Sequence, residues 1–486
     1  MDLNARNLIN GVWRDADATG ENRCPADGTL LGTTPVSGAD LMNEAIEAAH
    51  AAFPGWSGTP APKRGELLFR LVRILEREAE PLSRALALEE GKIIGEARGE
   101  VQKAIRYIEF AAGDARRLTG ITVPSELAGT FAFTMWRPHG VVGLITPWNF
   151  PVCIPLWKMA PALVAGNTVV LKPAPETPYT AHLIAKYCEE AGFPPGVVNV
   201  VHGDAAPALA LIDHPHVRAV SFTGSTEVGL KVSARCAQLN KPVQCEMGGK
   251  NPLLVLDDAD LDKAAAACVQ GAFGSTGQRC TATSRAIVME GVADAFVAKV
   301  IALGKALRAG HPLEDGVTMG PSVSERQMEK VVSYTDIGAA EAKLVLGGGR
   351  ITDLPRGFFP APTLFDFVAP TARIATEEIF GPVLAVVRVA SVDAAIDAAN
   401  AVQFGLTSSV YTNDLSRAFS VIERLDTGMT QVNAPTMGGE AHLPFGGVKN
   451  TGVGPREMGP DAWKFYSEQK TVYINHGGAR RTSSFY

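Results

Sequence analysis

The chain has 486 residues, 46% hydrophobic and 20% charged, with a formal net charge of −6. That length exceeds one ordinary core and implies two or three domains, while the composition is that of a folded globular protein, not a disordered or fibrous one. The acidic balance and the lack of a dense Lys/Arg run argue against a nucleic-acid-binding face.

The opening residues, MDLNARNLINGVW, contain no signal-peptide core, and no segment reaches the ~18 uninterrupted apolar residues of a membrane helix. The expectation is a cytoplasmic protein with no membrane partner. The seven cysteines (Cys24, Cys153, Cys188, Cys236, Cys245, Cys268 and Cys280) are odd in number, scattered and without a CxxC pair. This pattern fits a reducing compartment and suggests neither a disulfide framework nor a metal site.

In chain order, LINGVW reads as a short hairpin. LMNEAIEAAHAAF and KRGELLFRLVRILEREAE follow, with apolar residues at the three- and four-residue spacing of amphipathic helices. The β-rich stretch 121–136 interrupts this pattern like a strand leaving its domain, and the tail KTVYINH is a candidate partner for it. From residue 141, apolar runs alternate with helical stretches. The runs are VVGLIT, NTVVLKP, VVNVVHG and AVSFTGS; the stretches lie near 156–165, 179–191, 205–212 and 226–236. This alternation predicts βαβ units and a doubly wound parallel sheet. A second α/β series begins near residue 248 with NPLLVL and continues through SRAIVME, AKLVLGGG and VLAVVRV.

Four places carry chemistry. Gly224-Ser225 ends a strand and opens a helix, where free backbone N–H groups and the helix dipole favour a phosphate; the same residues serve equally as a plain helix cap. Cys280, in GSTGQRC, follows a glycine-rich loop and adjoins Arg279, a setting for a reactive thiolate or for ordinary packing. Glu246, in CEMGGKNP, is a general base if it is buried, or a partner of Lys250. Asn149, between Pro147 and Pro151 in TPWNFP, offers an amide donor to an oxyanion or makes a local turn.

The combination is more specific than any member. TPWNFP, KPAPETP, FTGSTEVG, EMGGKNP, GQRC, EEIFGPV and PFGG occur in this order, and together they resemble the hydrolytic aldehyde dehydrogenase superfamily over nearly the whole chain. The resemblance implies an α/β fold. A Rossmann-like NAD(P)-binding domain would span 1–120 and 139–247, a catalytic domain 248–460, and a β oligomerisation arm 121–138 and 461–486. It implies Cys280 as nucleophile, Asn149 as oxyanion donor and Glu246 as the base that activates water, and the 34-residue offset between Glu246 and Cys280 matches the family. It also implies that Thr146, Trp148, Lys172, Gly203, Phe222, Gly224, Ser225, Glu378 and Phe380 contact NAD or NADP. Many NAD-preferring members carry Glu where this chain has Pro175, with Glu176 following, so the preference stays open.

For the substrate, the stretches around TPWNFP and GQRC resemble those of bacterial 2,5-dioxopentanoate dehydrogenases, while REMGPDAWK is similar to the aminoadipate-semialdehyde branch. Either likeness implies a small semialdehyde bearing a carboxylate; in the aminoadipate branch the residue before the cysteine helps bind that carboxylate, which makes Arg279 its candidate anchor here, unless Arg279 pairs with a protein acid or tunes the thiolate. An apolar tunnel lined by Trp157 and Phe445 would instead suit aliphatic or aromatic aldehydes. The presence of Glu246 argues against a CoA-acylating enzyme, and the intact Cys280, Glu246 and Asn149 argue against an inactive structural relative. A homodimer or homotetramer is the implied assembly.

Overall fold

Strand Val141–Ile145 is buried at every position, as are Thr168–Lys172 and Val198–Val200. Such uninterrupted burial is what a parallel sheet covered by helices on both faces requires. In the computed structural model, which describes residues 3–354 and 356–477, these strands form the middle of an eight-stranded sheet. Its five parallel strands run Val198–Val200, Thr168–Lys172, Val141–Ile145, Val217–Thr223, Val243–Glu246. Numbered by sequence, this order is 3-2-1-4-5, so the winding reverses between Val141–Ile145 and Val217–Thr223. A crevice at the carboxyl ends of those two strands is the expected place for a dinucleotide.

The LINGVW hairpin adds Asn7–Ile9 and Val12–Arg14 to one edge. Its turn residues Asn10 and Gly11 have φ of 54° and 73°, the left-handed pair of a tight hairpin turn. The opposite edge differs from expectation. Strand Gly452–Val453, from the range assigned to the second unit, pairs antiparallel with Val243–Glu246. It closes an edge that would otherwise present unpaired backbone groups, and Thr451 O accepts from Met247 N at 2.7 Å.

The second sheet has seven strands in the order Lys343–Leu346, Thr363–Asp366, Val383–Val389, Thr283–Met289, Asn251–Val255, Thr407–Tyr411, Met429–Val432, all parallel to their neighbours except the first. The 121–136 stretch forms strands Thr122–Pro124 and Thr130–Pro138. The latter pairs along its whole length with Ser467–Asn475, from Pro138↔Ser467 to Thr130↔Asn475. The tail does join the departing strand; residues 478–486 of the expected arm lie outside the described residues.

Helix Cys153–Ala165 is buried at all thirteen positions. It packs on helix Ile94–Asp114 and follows directly from the 146–151 loop, so that loop is anchored to the rigid centre of the molecule. Among the described residues, no helix is long and apolar enough to cross a membrane.

Candidate active site

The loop carrying Cys280 joins helix Leu261–Phe273 to strand Thr283–Met289. Ser275, Thr276 and Gly277 take successive φ values of 48°, 56° and 68°. Gly277 is required there, because a Cβ would lie 2.3 Å from the backbone of Gly381. For Ser275 and Thr276 the same conformation costs roughly 1–3 kcal/mol each, so surrounding contacts must hold it. They do: Ser275 N donates to Glu96 Oε1 at 2.7 Å, Thr276 Oγ1 to Gly320 O at 2.8 Å, and the Gln278 amide joins Val323 N (3.0 Å) to Pro321 O (3.3 Å). Asn251 Nδ2 then donates to Cys280 O at 2.7 Å. Six of the seven free cysteines are buried, and Cys280 alone is partly exposed.

Glu246 ends a parallel strand and is 3% exposed. Its carboxyl lines the same cavity as the Cys280 thiol, and its Oε1 has no hydrogen-bond partner. Burial, and then the negative charge of Glu457, push Glu246 well above the usual carboxylate range. Burial and the adjacent Glu246 push the Cys280 thiol up as well. The resting site therefore holds a neutral thiol and a carboxyl of raised basicity on one cavity wall, the protonation states a nucleophile and its general base start from.

Asn149 lies against the same loop, its Nδ2 donating to Gln278 O at 3.0 Å. Its own backbone carbonyl accepts from Lys92 Nζ at 2.6 Å. Lys92 is also paired with Glu100 at 2.6 Å, and Glu100 caps helix Cys153–Ala165 by accepting from Val152 N (2.9 Å) and Cys153 N (3.1 Å). Removing the lysine charge strands a buried carboxylate and frees the Asn149 loop. We expect Lys92→Met to cost about 3–5 kcal/mol of stability, read from denaturant unfolding, and to lower kcat in whatever folds.

A cavity of about 440 Å³ opens at the winding-reversal point, where Cys280, Glu246 and Asn149 share its wall with Trp148, Gly224, Ser225, Glu378 and Phe380. Trp148 meets Phe380 edge-on at 5.4 Å, and Ser225 Oγ caps helix Thr226–Gln238 by accepting from Val228 N. The remaining expected cofactor residues lie outside this wall. Phe222 is buried beneath Gly224, Thr146 is buried with its hydroxyl unpartnered, and Lys172 ends the neighbouring strand with Glu176 and Asp204 as its negative neighbours. Gly203 precedes Asp204 at the start of helix Ala205–Asp213.

The expected substrate residues are placed differently. Arg279 does not reach the cavity. Its guanidinium is held by Glu96 at 3.0 Å, by Ser275 Oγ at 2.7 Å and by Met437 Sδ, so it braces the nucleophile loop instead of waiting for a carboxylate. Trp157 and Phe445 are buried against each other with ring centroids 5.6 Å apart, and Trp157 Nε1 is spent on Glu457 at 2.7 Å. Neither forms part of the cavity wall.

The model of the aldehyde dehydrogenase family matches residues 13–472. The chain belongs to that family. It is 41% identical to the alpha-ketoglutaric semialdehyde dehydrogenase of Bacillus subtilis (strain 168), covering 96% of this chain and 97% of that one. It is 43% identical to the 2,5-dioxopentanoate dehydrogenase of Saccharolobus solfataricus (strain P2), over 89% and 91%. Among solved structures, PnpE, known from Pseudomonas sp. WBC-3, in complex with nicotinamide adenine dinucleotide superposes with a TM-score of 0.96 at 36% identity, over 99% of both chains.

An aldehyde dehydrogenase uses NAD or NADP, and the cavity suits such a cofactor. The amino end of the thirteen-residue helix Thr226–Gln238 opens onto it, and the basic residues Arg326 and Lys330 line it, the latter with Glu378 as its negative neighbour. Gly248 lets Glu378 pack against the backbone, since a Cβ there would lie 2.5 Å from Glu378 Oε2. Glu378 is fixed by Gly249 N at 2.8 Å. Sequence reasoning missed Arg326, Gln327 and Lys330, because ERQMEK reads as the solvated face of an ordinary helix. In the fold, Gln327 Nε2 donates to Phe380 O at 2.8 Å and so steadies a residue at φ 60° beside the cavity.

Proposed function

We propose that Cys280 attacks the aldehyde carbon to form a thiohemiacetal, and that the enzyme thereby oxidises a small carboxylate-bearing semialdehyde of the 2,5-dioxopentanoate kind to its acid. The observation that carries this reading is that Cys280 and the buried carboxyl of Glu246, raised in pKa by that burial and unpartnered at Oε1, line one cavity. Glu246 takes the thiol proton, and the Asn149 side-chain amide with the Cys280 backbone N–H steadies the oxyanion. A nicotinamide held in the cavity would supply the hydride acceptor, and Cys280 would then carry the acyl group as a thioester. Glu246 then deprotonates a water that cleaves the thioester, giving the carboxylic acid and the free thiol. A buried base on the same cavity wall as the thiol suits water, not CoA, as the acyl acceptor. The semialdehyde class is supported by the names and the 41–43% identity of the two relatives.

In the same reading, Lys172, Glu176 and Glu378 bind the cofactor riboses. A 2′-phosphate beside Lys172 would face the two carboxylates Glu176 and Asp204, which favours NAD over NADP. The cofactor domain spans 1–120 and 139–247 with the added edge strand Gly452–Val453. The catalytic domain fills most of 248–460, and the three-stranded arm joins subunits of a homodimer or homotetramer. The test is absorbance of reduced nicotinamide across 2,5-dioxopentanoate, succinate semialdehyde, benzaldehyde and hexanal, with NAD and NADP in parallel. The carboxylate-bearing aldehydes should lead in kcat/KM, and NAD should exceed NADP by about tenfold or more. A lead for benzaldehyde or hexanal would overturn the substrate class.

A further inference from the structure

Helix Ala39–Gly58 carries Glu47 and His50 three residues apart, on one face. The His214-Pro215-His216 turn that follows helix Ala205–Asp213 comes to lie against that face. Glu47 Oε1 is 3.3 Å from His214 Nε2 and 3.4 Å from His216 Nδ1, and the three donor atoms all lie within 4.8 Å of one another. Ligand atoms at the corners of a zinc tetrahedron, with bonds near 2.1 Å, stand about 3.4 Å apart. We propose that Glu47, His214 and His216 form a binding site for one divalent cation of the zinc class, with water at the fourth corner.

Two imidazoles and one carboxylate suit a borderline metal better than Mg²⁺ or Ca²⁺, which prefer all-oxygen shells. His50 stacks on His216 at 3.8 Å with an interplanar angle of 22°, which fixes the plane of that ring, and His216 Nδ1 has no hydrogen-bond partner. Two features oppose binding. Lys241 lies near His214, but its Nζ is held by the carbonyls of Ile212 (2.6 Å) and His214 (2.7 Å). His216 N–H also points at His214 Nδ1 at 3.3 Å. That contact opens on ion binding, because Nδ1 must carry the ring proton when Nε2 takes the metal.

The site sits at the amino end of strand Val217–Thr223, whose other end reaches the cavity at Thr223. Seven strand residues span roughly 23 Å, so the ion takes no part in catalysis and instead pins the helix to the turn. Co²⁺ titration of the whole enzyme, followed by visible absorption and by competition with Zn²⁺, tests the proposal. The expected result is one equivalent per chain with tetrahedral d–d bands and no thiolate charge-transfer band, lost in His214→Ala/His216→Ala, whose kcat for aldehyde oxidation matches the parent. Zn²⁺ should raise Tm in the parent only. No saturable binding up to about 1 mM would overturn the site. Equal binding in the double variant, or a thiolate band pointing to Cys280, would overturn it too.

Discussion

Replacing Cys280 with serine should abolish aldehyde oxidation, lowering kcat by a factor on the order of 10⁵, while NAD binding, read by calorimetry, stays within about twofold. The loss is large because the thiol is the atom that becomes covalently attached, and a buried serine hydroxyl is a far weaker nucleophile. The remaining cysteines offer no substitute: all six are buried. Burial pushes the Cys24, Cys188 and Cys245 thiols up to about 11, about 12 and about 12. Cys280→Ser leaves the loop intact, since its backbone is held by Asn251 and the strained residues before it are fixed by Glu96 and Gly320. Turnover surviving in this variant would remove Cys280 from the chemistry.

Glu246→Gln should separate the two half-reactions. One equivalent of reduced nicotinamide should form in a burst, slower than in the wild type because the thiol has lost its proton acceptor, and steady turnover should then fall by roughly 10²–10⁴. Gln keeps the shape of the side chain but cannot accept a proton from water, so the thioester persists. The wild-type enzyme should also show a rising limb of kcat with pH. Because burial and Glu457 raise the Glu246 pKa, the basic form is scarce well below that pKa and is gained as pH increases through it. Steady-state kcat should therefore climb by up to about tenfold per pH unit on that limb. The limb should vanish in Glu246→Gln, where the side chain at that position no longer titrates; an unchanged profile would assign the base elsewhere.

Much of this architecture is legible in the sequence because parallel strands buried on both faces must be apolar throughout. VVGLI, TVVLK and VNV stand out for that reason, and the helices between them follow from their own periodicity. The hairpin Ala18–Arg23 with Leu30–Val36 is not legible, since ATGENR is polar and mostly exposed, and only its pairing partner makes it a strand. Gly452–Val453 is too short to show a pattern, and its place at the first sheet's edge depends on a crossover between the two α/β units.

The site divides the same way. Cys280, Glu246 and Asn149 are legible because each ends a strand or a glycine-rich loop at an ordered motif, and the fold brings all three to one wall. Arg279 misleads because adjacency to the cysteine says nothing about side-chain direction, and its partner Glu96 lies 183 residues away. Lys92 is invisible for a related reason. It sits in a helix-to-helix turn, and its importance arises only when Glu100 and the Asn149 carbonyl meet its amine in the core.

In the proposed reaction the acyl group is carried on Cys280 and released by Glu246. The most direct measurement is mass spectrometry of Glu246→Gln, quenched after mixing with NAD and 2,5-dioxopentanoate and then digested. An acyl adduct should appear on the peptide containing Cys280, in an amount matching the nicotinamide burst. A burst with no adduct, or an adduct on another residue, would contradict it.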